Sequence, residues 1–196
     1  MLKRTFDFLS SLIGIILISP ILLTIAILIK KEDGGSVFYR GVRVGRFGKT
    51  FKIFKFRTMV INAEKLGGSS TADDDPRITK MGKLIRKFKL DELPQLLNVL
   101  KGEMSIVGPR PEVQMYVDMF TEEERAILSV RPGITDWASL WNPDEGAILA
   151  GSPDPEKTYM EKLRPEKIRL QLKYVGERSF WKDLKIIAQT LITILK

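Results

Sequence analysis

The chain has 196 residues, with 32 lysines and arginines against 24 aspartates and glutamates, a net charge of +8, and neither cysteine nor histidine. Its length suits one ordinary domain; without cysteine there is no disulfide framework or thiol chemistry, and without histidine the usual general base and commonest transition-metal ligand are missing. Any catalysis is left to carboxylates, Lys and Arg, hydroxyls and a hard cation, and the basic balance points to a polyanionic partner: nucleic acid, an anionic membrane surface or phosphorylated substrates.

In chain order, residues 8–29 contain no charged side chain, about the length needed to cross a bilayer as a helix. The run is too long for a secretory signal, and no small-residue cleavage site follows it. Lys3 and Arg4 precede it, while Lys30, Lys31, Arg40, Arg43, Arg46 and Lys49 follow, so the positive-inside tendency draws both ends to one side. Ser19-Pro20 lies near its middle, where proline removes a backbone hydrogen bond. Two arrangements fit. One is a re-entrant helix that dips into one leaflet and returns, the Ser19 hydroxyl satisfying a carbonyl freed by Pro20; the other is a bent spanning helix with a short translocated tail. We expect the re-entrant form over residues 1–31, broken at Ser19-Pro20, followed by a cytoplasmic domain over residues 32–196. The fold class expected is α/β, mainly helical, with short strands and amphipathic interfacial helices.

Val37-Phe38-Tyr39 and the run from Phe51 to Phe56 flank Gly45-Arg46-Phe47-Gly48-Lys49, the pattern of a β-hairpin with a basic tip. Residues 61–76 read as a mobile loop, in which Asp73-Asp74-Asp75 lacks the alternating spacing of a calcium loop and reads as solvated. Met81, Leu84, Ile85 and Phe88 form the apolar side of a short helix that also carries Lys80, Lys83, Arg86 and Lys87. Next comes Leu90-Asp91-Glu92-Leu93-Pro94-Gln95, which opens a second helix ending at Lys101-Gly102. Pro94 is tolerated only in a first turn, so Asp91 falls at or beside the N-cap with Glu92 just inside. Taken alone, such a pair is a cap plus a dipole complement worth about 1 kcal/mol.

Glu103-Met104-Ser105-Ile106-Val107 reads as a strand leading into Gly108-Pro109-Arg110-Pro111. The prolines stiffen the turn that presents Arg110, which suits either a bidentate phosphate ligand or a structural ion pair. Thr121-Glu122-Glu123-Glu124 has the form of a capping box. Arg131-Pro132-Gly133 repeats the basic residue at a Pro-Gly turn, and Trp137 and Trp141 follow as core residues or interface anchors. Trp181, Leu184, Ala188, Leu191 and Leu195 make an apolar stripe at helical spacing, fit to pack on the core or to lie on a membrane.

Phe6-Asp7-Phe8, Ser19-Pro20, Phe54-Lys55-Phe56-Arg57-Thr58-Met59, the Asp91-Glu92 segment, Asn98-Val99-Leu100-Lys101-Gly102, Ser105 to Pro111 and Arg131-Pro132-Gly133-Ile134-Thr135 together resemble the bacterial sugar transferase family, and within it the small monotopic phosphoglycosyl transferases. The resemblance covers nearly the whole chain. It implies an enzyme of the bacterial inner membrane, its catalytic domain on the cytoplasmic face, that moves a phospho-sugar from a UDP-sugar to polyprenyl (undecaprenyl) phosphate and releases UMP, the first membrane step of glycoconjugate biosynthesis. By the same resemblance Asp91 and Glu92 are the catalytic dyad, through a covalent aspartyl intermediate, and hold Mg²⁺; Arg86 binds phosphate, and Ser19-Pro20 is the re-entrant break. Arg110, Arg131 and Arg57 complete the candidate phosphate ligands. The partners expected are a UDP-sugar, polyprenyl phosphate and membrane lipid, with no nucleic acid. Direct single displacement with Asp91 as a metal ligand, or a non-catalytic membrane-tethered binding protein, are the competing expectations. Asp136-Trp137-Ala138-Ser139 departs from the family's Gly-Trp-Ala-Gln and bears on sugar preference.

Overall fold

The computed structural model of the chain describes residues 2–66 and 70–194. A single long helix, α1 (Leu2–Asp33), runs through Pro20 without the expected break and two residues past the expected boundary. Pro20 cannot donate to the carbonyl of Ile16, four residues earlier. Ser19 Oγ donates to that same oxygen at 2.8 Å, so the hydroxyl supplies the bond proline lost. The helix ends at Gly34, whose positive φ of 74° allows its N–H to close on Lys30 O at 3.0 Å.

Both ends of α1 are held by the rest of the protein. At the start, Lys3 Nζ donates to Val107 O (3.0 Å) and pairs with Asp183 (2.5 Å). Buried Asp7 accepts from the Ser105 hydroxyl (2.8 Å) and the Ile106 N–H (3.2 Å). At the other end, Ile25 and Ile29 are buried in a cluster with Phe56 and Ile85, each stabilising by about 2 kcal/mol, and Asp33 receives both terminal nitrogens of Arg57. Between these anchors Leu12, Ile13, Ile16, Leu17, Ile21 and Leu23 are exposed. The helix is long and apolar enough to cross a membrane.

The expected hairpin is present as two nested ribbons. β1 (Phe38–Tyr39) pairs antiparallel with β4 (Lys55–Phe56), and β2 (Val42–Val44) with β3 (Thr50–Lys52) around a 3₁₀ tip at Arg46–Gly48. A polar residue sets their position. Asn98, fully buried, accepts from Phe54 N–H (2.8 Å) and donates to Lys52 O (3.0 Å) and Glu103 (2.7 Å). α2 (Lys80–Lys87) starts at Thr79, whose Oγ1 accepts the Gly82 N–H at 2.9 Å. A 3₁₀ segment, Leu90–Gln95, then leads into α3 (Leu96–Lys101), which stops at Gly102 with φ of 82°.

β5 (Ser105–Val107) pairs parallel with β6 (Gly133–Thr135). Their continuation brings backbones together so closely that a Cβ on Gly133 would stand 2.1 Å from Gly108 N. Between the two strands lies α4 (Gln114–Asp118), and Thr121 and Glu124 then form the expected reciprocal capping box. Next come α5 (Trp137–Trp141), capped by Asp136, and α6 (Glu145–Leu149). α7 (Pro155–Thr158) passes through a π-helical turn at Tyr159–Leu163 into α8 (Arg164–Glu177), and α9 (Phe180–Ile194) closes the described chain.

α9 buries Asp183 and Ile186, while Trp181 and Leu191 of the apolar stripe are exposed. That stripe therefore faces away from the core; Leu195 lies outside the described residues. Trp137 packs in the core and Trp141 is exposed. The Asp73-Asp74-Asp75 run is not simply solvated, because Asp75 pairs with Arg77 (2.6 Å) and Asp74 accepts the Gly151 N–H (3.0 Å).

Candidate active site

Asp91 and Glu92 sit where two helical segments meet. The chain leaves α2, reverses at Lys89 in the left-handed region (φ 54°, ψ 22°), and winds as a 3₁₀ helix before α3 begins. Lys89, not Asp91, therefore occupies the N-cap position, and the pair stands inside the 3₁₀ turn. Pro94 has no N–H to give, and the Glu92 N–H closes on Lys89 O, three residues back, at 3.4 Å. With three residues per turn, adjacent side chains diverge by about 120°. The two carboxylates consequently meet different surroundings.

Glu92 is saturated. Its Oε1 receives Lys55 Nζ at 2.6 Å and Arg110 Nη2 at 2.5 Å, and its Oε2 receives Arg110 Nη1 at 3.2 Å. Burial opposes ionisation of Glu92, but the Arg110 and Lys55 charges outweigh it and hold the carboxyl well below its ordinary range. Asp91 has no hydrogen-bond or ion-pair partner for its carboxylate among the described residues. Burial pushes its pKa up; the Lys55 charge pulls it down and the Glu92 charge pushes it up again. Two neighbouring carboxyls thus titrate in opposite directions.

Lys55 is itself buried enough to lower its pKa, the Glu92 charge recovering part of the loss. Arg110 is held more firmly protonated, chiefly by Glu92. A second buried network adjoins this one: Lys167 pairs with Glu112 and Glu145 at 3.1 Å each and donates to the Tyr159 hydroxyl at 3.2 Å. Glu145 lies within electrostatic reach of both Arg110 and Glu92. Its burial is overridden by Lys167 and Arg110, which keep the carboxyl low.

Of the expected phosphate ligands, Arg110 is joined to the dyad through Glu92, and Arg86 lies within electrostatic reach of Asp91. The Arg86 guanidinium has no hydrogen-bond or ion-pair partner among the described residues, so its donors are available. Arg57 and Arg131 are not brought to the dyad. Arg57 is spent on Asp33, Ser36 O and Met59 O, clamping the end of α1. Arg131 donates to Gly102 O at 2.8 Å, beyond the far end of α3. Lys55, Glu145 and Asn98 carry site geometry and were not among the candidate site residues, although Lys55 and Asn98 lie in motifs that carry the family resemblance. Besides that motif, the local signal for Lys55 was a charge alternating with Phe54 and Phe56, which puts it on the opposite face of the chain from the aromatics.

Among the described residues no group of three or more acidic side chains is placed to hold a metal ion. The protein therefore offers Asp91, with unspent lone pairs, and Oε2 of Glu92.

The chain matches the family model described as bacterial sugar transferase over residues 1–196. It is 40% identical over 197 residues to the UDP-N-acetylgalactosamine-undecaprenyl-phosphate N-acetylgalactosaminephosphotransferase of Aeromonas hydrophila, a match covering 99% of this chain and 44% of that protein. It is 39% identical over 194 residues to the uncharacterized sugar transferase EpsL of Bacillus subtilis, covering 99% of this chain and 87% of the relative. The UDP-glucose:undecaprenyl-phosphate glucose-1-phosphate transferase of Escherichia coli is 36% identical over 194 residues, covering 97% of this chain and 39% of its own length. The chain thus spans less than half the length of the Aeromonas and Escherichia relatives.

Proposed function

The chain belongs to the bacterial sugar transferase family, and we propose that it is a membrane-associated phosphoglycosyl transferase that moves a sugar phosphate from a UDP-sugar to polyprenyl phosphate. The observation that carries this is the division of labour in the dyad: Glu92 neutralised by Lys55 and Arg110, and Asp91, among the described residues, left without a hydrogen-bond or ion-pair partner within reach of the Arg86 charge. A carboxylate with raised pKa is a stronger nucleophile than an ordinary aspartate. An Asp91 oxygen attacks the β-phosphorus, the bond from that phosphorus to the bridging oxygen breaks, and UMP leaves with the electron pair. An oxygen of polyprenyl phosphate then attacks the same phosphorus, Asp91 departs as a carboxylate, and a lipid diphosphate sugar results. Arg86 and Arg110 face the charge that spreads over the phosphoryl oxygens.

Mg²⁺ fits the donor set, because that ion accepts one or two carboxylates and completes its shell with water and substrate phosphates. Asp91 and Oε2 of Glu92 would hold it, and when bound it would neutralise charge on the diphosphate. The experiment is labelling with a UDP-sugar carrying isotope at the β-phosphate, without lipid acceptor. The label is expected on the protein as a hydroxylamine-sensitive acyl phosphate, and Asp91→Asn should lose label and turnover together. Full turnover by that variant, or turnover with no trapped label, would leave Asp91 as a metal ligand in a single displacement.

We infer a re-entrant course for α1 with its helical winding unbroken at Pro20, in place of the expected helix break, supported by the attachment of both its ends to one domain: Lys3 and Asp7 at the start, Ile29 and Asp33 at the end. A span would have to pull Asp7 away from Ser105 and Lys3 from Asp183. Single cysteines at Leu2 and Ser36, both exposed, should each resist an impermeant thiol reagent in intact cells, which places them on the cytoplasmic side. Labelling at position 2 alone would establish a span.

A further inference from the structure

Beyond the last turn of α3, three arginines meet with few acids to balance them. Arg4 donates to the carbonyls of Val99 (2.6 Å) and Leu100 (3.0 Å). Its Nη2 also lies 3.5 Å from where a Cβ on Gly102 would stand, and Arg131 Nε bonds the Gly102 carbonyl. Arg46, within electrostatic reach of Arg131, donates through Nε to Ser129 O at 3.0 Å. Helix capping accounts for only part of this. The end of a helix carries about half a negative charge, which one guanidinium complements. The nearby carboxylate is Asp7, and both its oxygens are engaged by Ser105 and Ile106.

Arg46 and Arg131 each spend only Nε, so among the described residues the two Nη groups of each have no partner. That edge is the one a guanidinium uses for bidentate binding of a phosphate. Burial, and then the charges of Arg4 and Arg46, push the Arg131 pKa down, a cost that a bound anion would relieve. The location is also specific. Arg4 stands at the beginning of the apolar run, over the Phe8 ring at 5.9 Å, with Leu9 and Leu12 exposed just beyond. Phe47, with φ of 58°, projects from the hairpin tip 67% exposed, with Arg46 over its ring at 4.3 Å. Aromatic and cationic side chains flanking an apolar segment belong at the headgroup level of a bilayer.

We propose that Arg4, Arg46 and Arg131 form a second anion site, which takes the phosphate of an anionic lipid headgroup at the membrane surface. It is separated from Asp91 by about 18 Å along the intervening helical turns, and it serves attachment to an anionic leaflet, not phosphoryl transfer.

The test is thermal denaturation of the full chain in neutral detergent with dioctanoyl phosphatidic acid, dioctanoyl phosphatidylcholine or inorganic phosphate. At ten times its dissociation constant, phosphatidic acid is expected to raise the midpoint by about 4 °C, with no comparable rise from phosphatidylcholine. Arg46→Gln, at an exposed position, should reduce the rise to under about 1 °C, while Lys49→Gln on the same hairpin tip should keep it. An equal rise with phosphatidylcholine, an undiminished rise in Arg46→Gln, or equal losses in both variants would overturn the site. A full rise with inorganic phosphate would make the ligand a soluble anion and overturn the lipid assignment. The melt needs no UDP-sugar and no turnover, so its failure leaves the transferase activity standing.

Discussion

At the leading end of the segment covering residues 90–101, Glu92 receives three charge-assisted hydrogen bonds from Lys55 and Arg110; at its trailing end, Arg4 and Arg131 give theirs to main-chain carbonyls. The first end is balanced by side chains of opposite sign, and the second keeps an excess of positive charge. The comparison teaches that chemical readiness follows the group left unspent, not the amount of charge gathered. Beside Glu92 that group is Asp91, and beyond α3, among the described residues, it is the Nη edges of Arg46 and Arg131. A partly buried ion pair is structural in effect, because removing one partner leaves the other under-satisfied where water reaches it poorly.

The strongest way to break the contrast is at the balanced end. Arg110→Ala should leave Glu92 with Lys55 alone, lowering kcat/KM by about 100-fold or more and stability by about 2 kcal/mol, the cost of leaving a partly buried carboxylate under-satisfied. Arg86→Ala should lower kcat/KM by a similar factor with the thermal midpoint nearly unchanged, because among the described residues its guanidinium holds no hydrogen-bond or ion-pair partner. Steady-state kinetics beside thermal melts separate the two; a comparable loss of folding in Arg86→Ala would make that residue structural.

A finer test uses pH. In the proposed mechanism Asp91 attacks in its ionised form, so its raised pKa should place the acid limb of kcat/KM above the ordinary value of 3.8. Glu92→Gln removes the neighbouring negative charge and should move that limb to lower pH while reducing the maximum rate. An acid limb that does not move would assign it to another group. Stability shows the opposite sign: the folded-state pKa of Glu92 lies below the ordinary 4.5, so the contribution of its pairing is present above that pH and is lost as pH falls through the folded value. Melts of the parent and Glu92→Gln across that range should converge toward acid.

What the sequence determined by itself is what neighbours along the chain can decide. The uncharged run of α1, the proline whose lost bond Ser19 replaces, the capping box at Thr121 and Glu124, the hairpin around Arg46 and the helical turn bearing Asp91-Glu92 all rest on interactions spanning a few residues. The hairpin's exact pairing and the 3₁₀ winding were less legible, since short strands and Pro-bearing turns take their form from what packs on them. Tertiary structure alone decided which charges meet. Lys55 reaches Glu92 across 37 positions, Arg110 across 18, and Asn98 sets the strand carrying Lys55 from 44 positions away. The same long-range packing diverted Arg57 to Asp33 and Arg131 to Gly102, and turned the Trp181 and Leu191 side of α9 outward. The reason is physical: a local pattern sets backbone form and the spacing of side chains, whereas the partner and the degree of burial that fix a charged group's role come from segments distant in the chain.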